Sequence, residues 1–376
     1  SQASAAQRAG RAGRLGPGRC LRLWSAAEQQ RRPAFDPPEL LEADPLPLVL
    51  QLAQWGAGLG EALPWLEPPP AASLQEGQAL LQQLGALDGR GHLSDHGRAM
   101  AGLGVHPRLA QLLLAARSLG ASELGCALAA LLSERDPLIG GDAGCDLMRR
   151  LDWLRGGSRD PRRQQVQRLQ QQLASQLAAV GERTPAPAPE RATTTGQASE
   201  LPEASLAAEL VVQAYPERLA LARDGSPGRY RTRAGRGAVL PTGDPLVGCD
   251  ALAIARADGG GSDSRIQLAL PLPRTSLESL AAASGHSESL VSWDPQQQRV
   301  RCERALSLGA LVLERRPWPD APTELVRTAL LEGLATMGLE ALPWNDASRQ
   351  LQGRLCLAHA HLGAPWPDRC DDALAA

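Results

Sequence analysis

The chain carries the octapeptide Gln7-Arg8-Ala9-Gly10-Arg11-Ala12-Gly13-Arg14, and its meaning decides how the remaining residues are interpreted. Arginine occupies every third position, and only Ala and Gly lie between the three arginines. A helix that begins after Ser4 would place these arginines along one side. The small residues would let the backbone lie against a bound phosphate or another domain, and planar guanidinium groups match phosphoryl oxygens. The alternative is a solvated basic helix end or a non-specific nucleic-acid patch.

The octapeptide, followed by Gly16-Pro17-Gly18-Arg19-Cys20, resembles motif VI of the DEAH-box (DEAH/RHA) superfamily 2 helicases. Later stretches narrow the resemblance to the bacterial HrpB-type helicases and extend it over essentially the whole chain. These stretches are Gln54-Trp55-Gly56, Leu84-Gly85-Ala86-Leu87, His106-Pro107-Arg108-Leu109-Ala110, Gly228-Arg229-Tyr230, Arg236-Gly237-Ala238 and Leu308-Gly309-Ala310-Leu311. The resemblance implies that Gln7, Arg11 and Arg14 face the γ-phosphate of ATP, with both arginines acting as fingers from the second RecA-like domain.

Two parts of a helicase motor are missing from the sequence. All 39 basic side chains are Arg, so the Lys-containing phosphate loop G-x-x-x-x-G-K-[ST] cannot occur. There is also no Asp-Glu pair to serve as a Mg²⁺-binding DEAH box. We therefore expect a C-terminal fragment that begins at motif VI and lacks its N-terminal RecA-like domains. ATP and Mg²⁺ would bind in the full-length enzyme, and the fragment alone would neither bind nor hydrolyse ATP.

Composition predicts a multidomain α+β fold. The chain of 376 residues is longer than a single domain, since domains typically contain ~100–200 residues. Aromatic residues make up only 3%, so Leu and Ala must fill the cores and helices should dominate. The net charge of −2 means that any nucleic-acid contact must come from local Arg clusters. No apolar run reaches the ~18–20 residues of a membrane span, so we expect a cytoplasmic protein without a membrane partner.

Helical periodicity fills the first half of the chain. Three features predict a winged helix, which the resemblance also implies. They are apolar positions with helical spacing after Asp44, a second helix with Ser73 as its cap, and a Gly-rich hairpin over residues 87–93. Four further helices are expected to form a bundle. The resemblance implies that this bundle corresponds to the ratchet domain of related helicases. The predicted domains are a RecA-like remnant with a short strand at 21–24 (1–42), the winged helix (43–104), the helical bundle (105–181), a flexible linker (182–205), an OB-like β domain (206–316) and C-terminal helices (317–376).

After the linker, the apolar period changes from 3.6 to 2. Short strands with Gly-rich turns predict a small closed sheet, and the resemblance makes an OB-like barrel the specific expectation. The strands are 229–233, 238–240, 252–255, 266–270, 300–302 and 310–313.

Two sets of residues are candidates for nucleic-acid binding. Arg229, Arg231 and Arg233, next to Tyr230 and Arg236, would form a basic strip that follows a phosphate backbone, with Tyr230 stacked on a base. The alternative is the charged outer face of a half-buried strand. In the bundle, the resemblance makes basic residues candidates for backbone contact, although a solvated helix face is the alternative. These residues are Arg149, Arg150 and Arg155.

We predict no metal site. His92 and His96 flank Asp95, but the hairpin places His92 on a strand and His96 on the following helix, with no further ligand nearby. His359 and His361 are two residues apart and cannot share a helical face. The seven cysteines form no C-x-x-C pair, which is typical of reduced cytosolic thiols.

Two functions follow from these observations. The first is the C-terminal part of an ATP-dependent helicase that couples ATP hydrolysis to unwinding of, or translocation on, single-stranded or partly duplex RNA or DNA. The alternative is a non-enzymatic nucleic-acid-binding or protein-interaction module that lacks the motor.

Overall fold

A computed structural model describes residues 1–138, 143–157, 159–183, 202–259 and 263–375 of the chain. The described residues fall into two compact units. Unit 1 contains residues 1–138 and 148–183, and unit 2 contains residues 143–147 and 202–375. Unit 1 is helical, whereas unit 2 combines two sheets with helices. The predicted α+β class is therefore confirmed.

Unit 1 begins with three helices, α1 (Gln2–Ala12), α2 (Ala26–Arg31) and α3 (Glu39–Glu42). The N–H groups of Gln2 and Ala3 in the first turn of α1 donate to the carbonyls of Pro33 and Ala34 at 2.9 and 3.0 Å. These bonds satisfy donors that a helix leaves free at its N-terminus. The segment after α2 therefore holds the start of α1 in place.

The strand predicted at residues 21–24 is wrong. These residues have no regular structure, and Leu21 and Leu23 are 87% and 93% exposed. A strand needs a partner for its backbone hydrogen bonds, and no part of the chain that the structure describes pairs with this segment.

The next elements follow the predicted helix, helix and hairpin order: α4 (Leu46–Trp55), α5 (Ala71–Gln83) and then α6 (Asp95–Gly102). Leu87 and Leu93 form an antiparallel bridge, and the Asp88 carboxylate accepts the N–H groups of Arg90 and His92 at 2.8 Å each. The hairpin is thus held by its own turn residues. Helix α5 begins at Ala71 rather than after Ser73, because the extended backbone ends at Pro70.

Four helices complete unit 1: α7 (Pro107–Ser118), α8 (Ser122–Ser133), α9 (Leu147–Arg155) and α10 (Pro161–Arg183). Helices α7 and α8 are buried along most of their length, and their cores consist of Leu and Ala. Gly125 on α8 lies so close to Ala116 on α7 that an added Cβ would collide with the Ala116 methyl group. Small residues therefore let these two helices pack closely.

In unit 2, α11 (Glu203–Ala214) precedes a closed five-stranded barrel. Its strands are β1 (Leu219–Ala222), β2 (Arg229–Thr232), β3 (Gly237–Val239), β4 (Ala251–Ala257) and β5 (Asp263–Pro271), in the order β1-β2-β3-β5-β4. The β3–β5 pair is parallel, and the others are antiparallel.

The segment before α9 also belongs to the barrel. The Cys145 N–H donates to the Asp244 carboxylate at 2.7 Å, and Asp146 forms a parallel bridge with Ala269 of β5. The Cys145 side chain lies in the barrel core with Tyr230 and Ile266. A segment distant in sequence thus completes the core.

A second, antiparallel sheet follows the barrel and helix α12 (Arg274–Ser284). It consists of β6 (His286–Asp294), β7 (Arg299–Leu308) and β8 (Leu311–Pro317). The strands predicted at 300–302 and 310–313 lie in this sheet and not in the barrel. The barrel closes instead through β1, whose Leu219 pairs with Ala253 of β4. This pairing leaves the barrel no open edge for further strands.

Helices α13 (Thr323–Met337), α14 (Asp346–Leu362) and α15 (Asp371–Ala375) end the chain. Helix α13 follows Pro322, and Gly338 is its C-cap. Most of the predicted linker, residues 184–201, lies outside the described residues. Within the described ranges, no helix has both the length and the hydropathy needed to cross a bilayer.

Candidate nucleotide and nucleic-acid sites

The octapeptide forms the second half of α1 and the turn that follows it. Helix α1 begins at Gln2 and ends at Ala12, with Gly13 as its C-cap. Gln7 and Arg11 are four residues apart and lie on one exposed face, together with Arg8. Arg14 is beyond the cap, so the expectation that three arginines share one helix side is wrong. Gly13 ends the helix one residue before Arg14.

The backbone of α1 beside Arg11 is open, and the turn after the helix is tightly packed. A Cβ added at Gly10 would meet no atom within 4 Å, so the backbone beside Arg11 is open. Gly18 lies so close to the Ala12 carbonyl that a side chain would not fit, which fixes the turn that carries Arg14. Residues 1–27 contain no Asp or Glu. This segment therefore offers guanidinium donors to phosphate oxygens and no carboxylate ligand to Mg²⁺.

Of the three candidate residues on α9, one is buried. The Arg150 guanidinium is 3% exposed and donates to both carboxylate oxygens of Asp136, at 3.2 and 2.8 Å. The prediction that Arg150 contacts nucleic acid is therefore wrong, because its charge is already paired inside unit 1. Arg149 and Arg155 are exposed on the same helix.

Tyr230 lies inside the barrel. Strand β2 alternates, with Arg229 and Arg231 exposed and Tyr230 and Thr232 buried. The Tyr230 side chain is 1% exposed, and its hydroxyl lies 3.2 and 3.0 Å from the carbonyls of Leu246 and Cys249. Burial raises the pKa of Tyr230 to about 12, so the hydroxyl stays a neutral donor. The prediction that Tyr230 stacks on a base is wrong.

The predicted strip is also divided by the end of β2. Arg233 follows the strand and is half-buried; its carbonyl accepts the Ala310 N–H at 2.9 Å. Burial lowers the pKa of the Arg233 guanidinium, and nearby Glu217 opposes this shift. Arg236 is exposed in the hairpin turn between β2 and β3. Arg233 therefore does not continue the face formed by Arg229 and Arg231.

Two arginines that sequence reasoning missed extend the outer face of β2. Arg229 pairs with Val239 of β3, which pairs with Arg265 of β5, so the two arginines lie in one row. Arg223 follows β1 and, like Arg265, is exposed. We call the four exposed side chains the barrel arginine face: Arg223, Arg229, Arg231 and Arg265.

The carboxylate of Asp263 lies near two of these arginines. Asp263 lies 3.1 Å from the Arg229 guanidinium and 3.6 Å from that of Arg223. It can lie across β3 because Gly237, its partner in the register, has no side chain. A second carboxylate, Asp258, accepts the Arg265 N–H at 2.7 Å. Four guanidinium groups thus lie near two carboxylates, so the face keeps a net positive charge. The predicted strand over 266–270 began three residues too late to reveal Asp263 and Arg265.

Comparisons with known proteins identify one relative that matches the whole chain and others that match about a third of it. ATP-dependent RNA helicase HrpB of Escherichia coli (strain K12) is 34% identical over 380 residues, which cover 100% of this chain and 43% of the relative. ATP-dependent RNA helicase HrpA of the same organism is 37% identical over 142 residues, covering 36% of this chain and 11% of the relative. The chain thus spans less than half of either relative.

Comparison with solved structures identifies the same relative. The crystal structure of the E. coli DExH-box NTPase HrpB matches with a TM-score of 0.66 and 32% identity, covering 100% of this chain and 43% of the other. The model of the ATP-dependent RNA helicase HrpB connector region matches residues 286–318. These residues coincide with the sheet of β6, β7 and β8.

Proposed function

Because the resemblance to HrpB-type DEAH-box helicases is confirmed over the whole chain in sequence and fold, we propose that these residues serve in an ATP-dependent RNA helicase. The observation that carries the proposal is the match along 100% of the chain to HrpB, combined with the exposed arginines of the octapeptide on α1. The substrate is proposed as RNA because relatives of this chain are described as RNA helicases.

The octapeptide would act on the γ-phosphate of ATP. Arg11 and Arg14 would donate to its oxygens and stabilise the negative charge that develops during hydrolysis. Gln7 lies one helical turn before Arg11 on the same exposed face, which supports a role in orienting the attacking water or the phosphate. ATP with its Mg²⁺ supplies the phosphoryl group that is hydrolysed, and the Mg²⁺ ligands would come from residues other than 1–27.

The barrel would hold RNA. Its closed strand order β1-β2-β3-β5-β4 supports the OB-like assignment, and OB-folds bind oligonucleotides on the face of their second and third strands. The barrel arginine face lies there and suits phosphate oxygens along a single strand. Exposed Arg236, Arg149 and Arg155 remain candidates for further backbone contact. Residues 43–104 would form the winged helix, and residues 105–181 the ratchet-like bundle.

The salt dependence of RNA binding tests the role of the barrel. Each phosphate neutralised on a single strand contributes about −0.7 to the slope of log K against log salt. We expect a chain with both Arg231→Ala and Arg265→Ala to bind a single-stranded RNA more weakly, with a slope flatter by about 1.4. Fluorescence anisotropy at several salt concentrations measures this slope.

The matched control changes two exposed arginines on helices of unit 2, Arg274→Ala and Arg327→Ala. Their replacement should leave the slope unchanged. If the barrel variant keeps the original slope, or if the control flattens it equally, the outer face of β2 is a solvated surface and the barrel does not bind RNA by this face.

A further inference from the structure

The end of the chain brings two thiols and a carboxylate together. Cys356, Asp368 and Cys370 each offer one ligand atom, and these atoms all lie within 4.8 Å of one another. Cys356 is half-buried on α14, whereas Asp368 and Cys370 are exposed in the loop of residues 363–370 between α14 and α15. The cluster is distant in sequence from the octapeptide and from the barrel arginine face.

Other side chains of α14 hold this loop in place. Gln352, Cys356 and His359 lie on one face of the helix, because they are separated by four and three residues. The Gln352 amide donates to the Arg369 carbonyl at 3.0 Å and to the Asp371 carboxylate at 2.8 Å. His359 Nδ1 lies 2.7 Å from the Trp366 carbonyl. The loop is therefore held on both sides of Asp368 by contacts that do not use the three clustered groups.

The carboxylate of Asp368 is oriented by hydrogen bonds within the loop. It accepts the Cys370 N–H at 3.0 Å and is also hydrogen-bonded to the Arg369 N–H and the Cys370 thiol. Binding of a metal ion displaces a thiol proton, so the contact between the carboxylate and the Cys370 thiol is the one that an ion would replace. A ligand held by a backbone donor in this way is oriented before an ion arrives.

The geometry suits a tetrahedral ion. Two thiolates bound to one zinc ion at ~2.3 Å lie about 3.8 Å apart, and a thiolate and a carboxylate oxygen lie about 3.6 Å apart. Ligand atoms that are already within 4.8 Å need to move by only about 1 Å to reach these distances. We propose that Cys356, Asp368 and Cys370 form a Zn²⁺ site, with water in the fourth position.

The two sulfur ligands and one oxygen ligand determine which metal ion this site favours. Thiolates favour zinc over Ca²⁺ and Mg²⁺, which prefer all-oxygen coordination. A bound zinc ion joins the loop of residues 363–370 to α14 through two ligands from the loop and one from the helix. It would act as a cross-link between segments that share few buried side chains, since Asp368 and Cys370 are exposed.

Metal content of the 376-residue chain tests the site. The chain is reduced with a phosphine, incubated with zinc, separated from free metal and analysed by mass spectrometry. We expect about one zinc ion per chain, and we expect Cys356→Ser and Cys370→Ser each to abolish its retention. Asp368→Asn, which removes a ligand charge at constant shape, should weaken zinc binding by about tenfold or more in competition with a chromogenic chelator.

Matched controls come from the other cysteines. Cys302→Ser changes a half-buried thiol, like that of Cys356, and Cys20→Ser changes an exposed thiol, like that of Cys370. Both should retain zinc. Cobalt provides a second readout, since thiolate-to-Co²⁺ charge transfer in the near ultraviolet should appear in the unchanged chain and be lost in each single-cysteine variant of the site. Far-ultraviolet circular dichroism confirms that each variant is folded.

Three results would overturn the proposal. The first is a reduced chain that retains no zinc, and the second is equal retention by the site variants and the controls. The third is a Cys356–Cys370 disulfide in the zinc-treated, reduced protein, because its sulfur atoms could no longer bind the ion as thiolates.

Discussion

The guanidinium of Arg150 illustrates how far a residue's role depends on its surroundings. It is paired through two hydrogen bonds with Asp136, and both side chains are buried within unit 1. Removal of one partner from such a pair leaves an uncompensated buried charge. We expect Arg150→Ala to lower the free energy of unfolding by about 3–5 kcal/mol, measured by urea denaturation.

The control for this prediction is Arg168→Ala, which changes an exposed arginine on α10. Its effect should stay within about 0.5 kcal/mol, as for most surface substitutions. Equal stabilities of the two variants would mean that the Arg150–Asp136 pair contributes nothing to unit 1.

At the scale of residues, the sequence shows which chemical groups are present, but it does not show which of them are exposed and which are buried. The octapeptide contains the right groups for a phosphate, and its key residues are exposed. Tyr230 and Arg150 also have suitable chemistry for nucleic acid, but both are buried. Period-2 alternation places Tyr230 and Arg231 on opposite faces of β2, yet it does not say which face is inside. That choice depends on strands and helices distant in sequence.

Two glycines, one on α13 and one on α14, test how these helices pack. Gly333 on α13 lies against the indole ring of Trp293 on β6, and an added Cβ would collide with that ring. Gly353 on α14 is exposed and has no neighbour within 4 Å of an added Cβ. Ala is the better helix former, so Gly353→Ala should stabilise the chain by about 0.5–1 kcal/mol.

Gly333→Ala has the same gain in helix propensity, but the collision with Trp293 should outweigh it. We expect a net loss of about 1–3 kcal/mol, as for other overpacked sites. Urea denaturation of the two variants measures both effects. Changes of the same sign in Gly333→Ala and Gly353→Ala would show that α13 does not pack on β6 through this glycine.

At the scale of elements, helices were predictable and strand partners were not. Apolar spacing predicted α4, α5 and the helices of the bundle, because a helix forms its hydrogen bonds within one segment. A strand depends on a partner. Residues 21–24 have a strand-like pattern and no partner among the described residues, whereas β7 pairs with β6 and β8 rather than with the barrel.

The same limit applies to the proposed zinc site. Cys356 and Asp368 are separated by eleven residues, and Asp368 and Cys370 by one, which matches none of the usual spacings of zinc ligands. The turn after α14 brings the three together. The prediction that the chain has no metal site rested on the absence of such spacings.

At the scale of the whole molecule, the resemblance to HrpB-type helicases was predicted from the octapeptide and a few short stretches. The comparisons confirm it over the whole chain, and the chain spans 43% of the length of HrpB. The domain limits within it stay predictions. The three-stranded sheet could not be separated from the barrel by sequence pattern alone, because the pattern of each strand does not show which strand it pairs with.

The most direct test of the proposed function is ATP turnover by a polypeptide in which these 376 residues follow a region with the Walker A lysine and the DEAH box. We predict that Arg11→Ala and Arg14→Ala each lower turnover by about 10³–10⁵. The fold should remain intact, because both side chains are exposed. Arg11→Lys should restore little activity, since an ammonium group lacks the planar fork. Arg31→Ala, an exposed control on α2, should keep full turnover. Near-normal turnover in both Arg11→Ala and Arg14→Ala, with unchanged circular dichroism, would contradict the helicase function proposed for this chain.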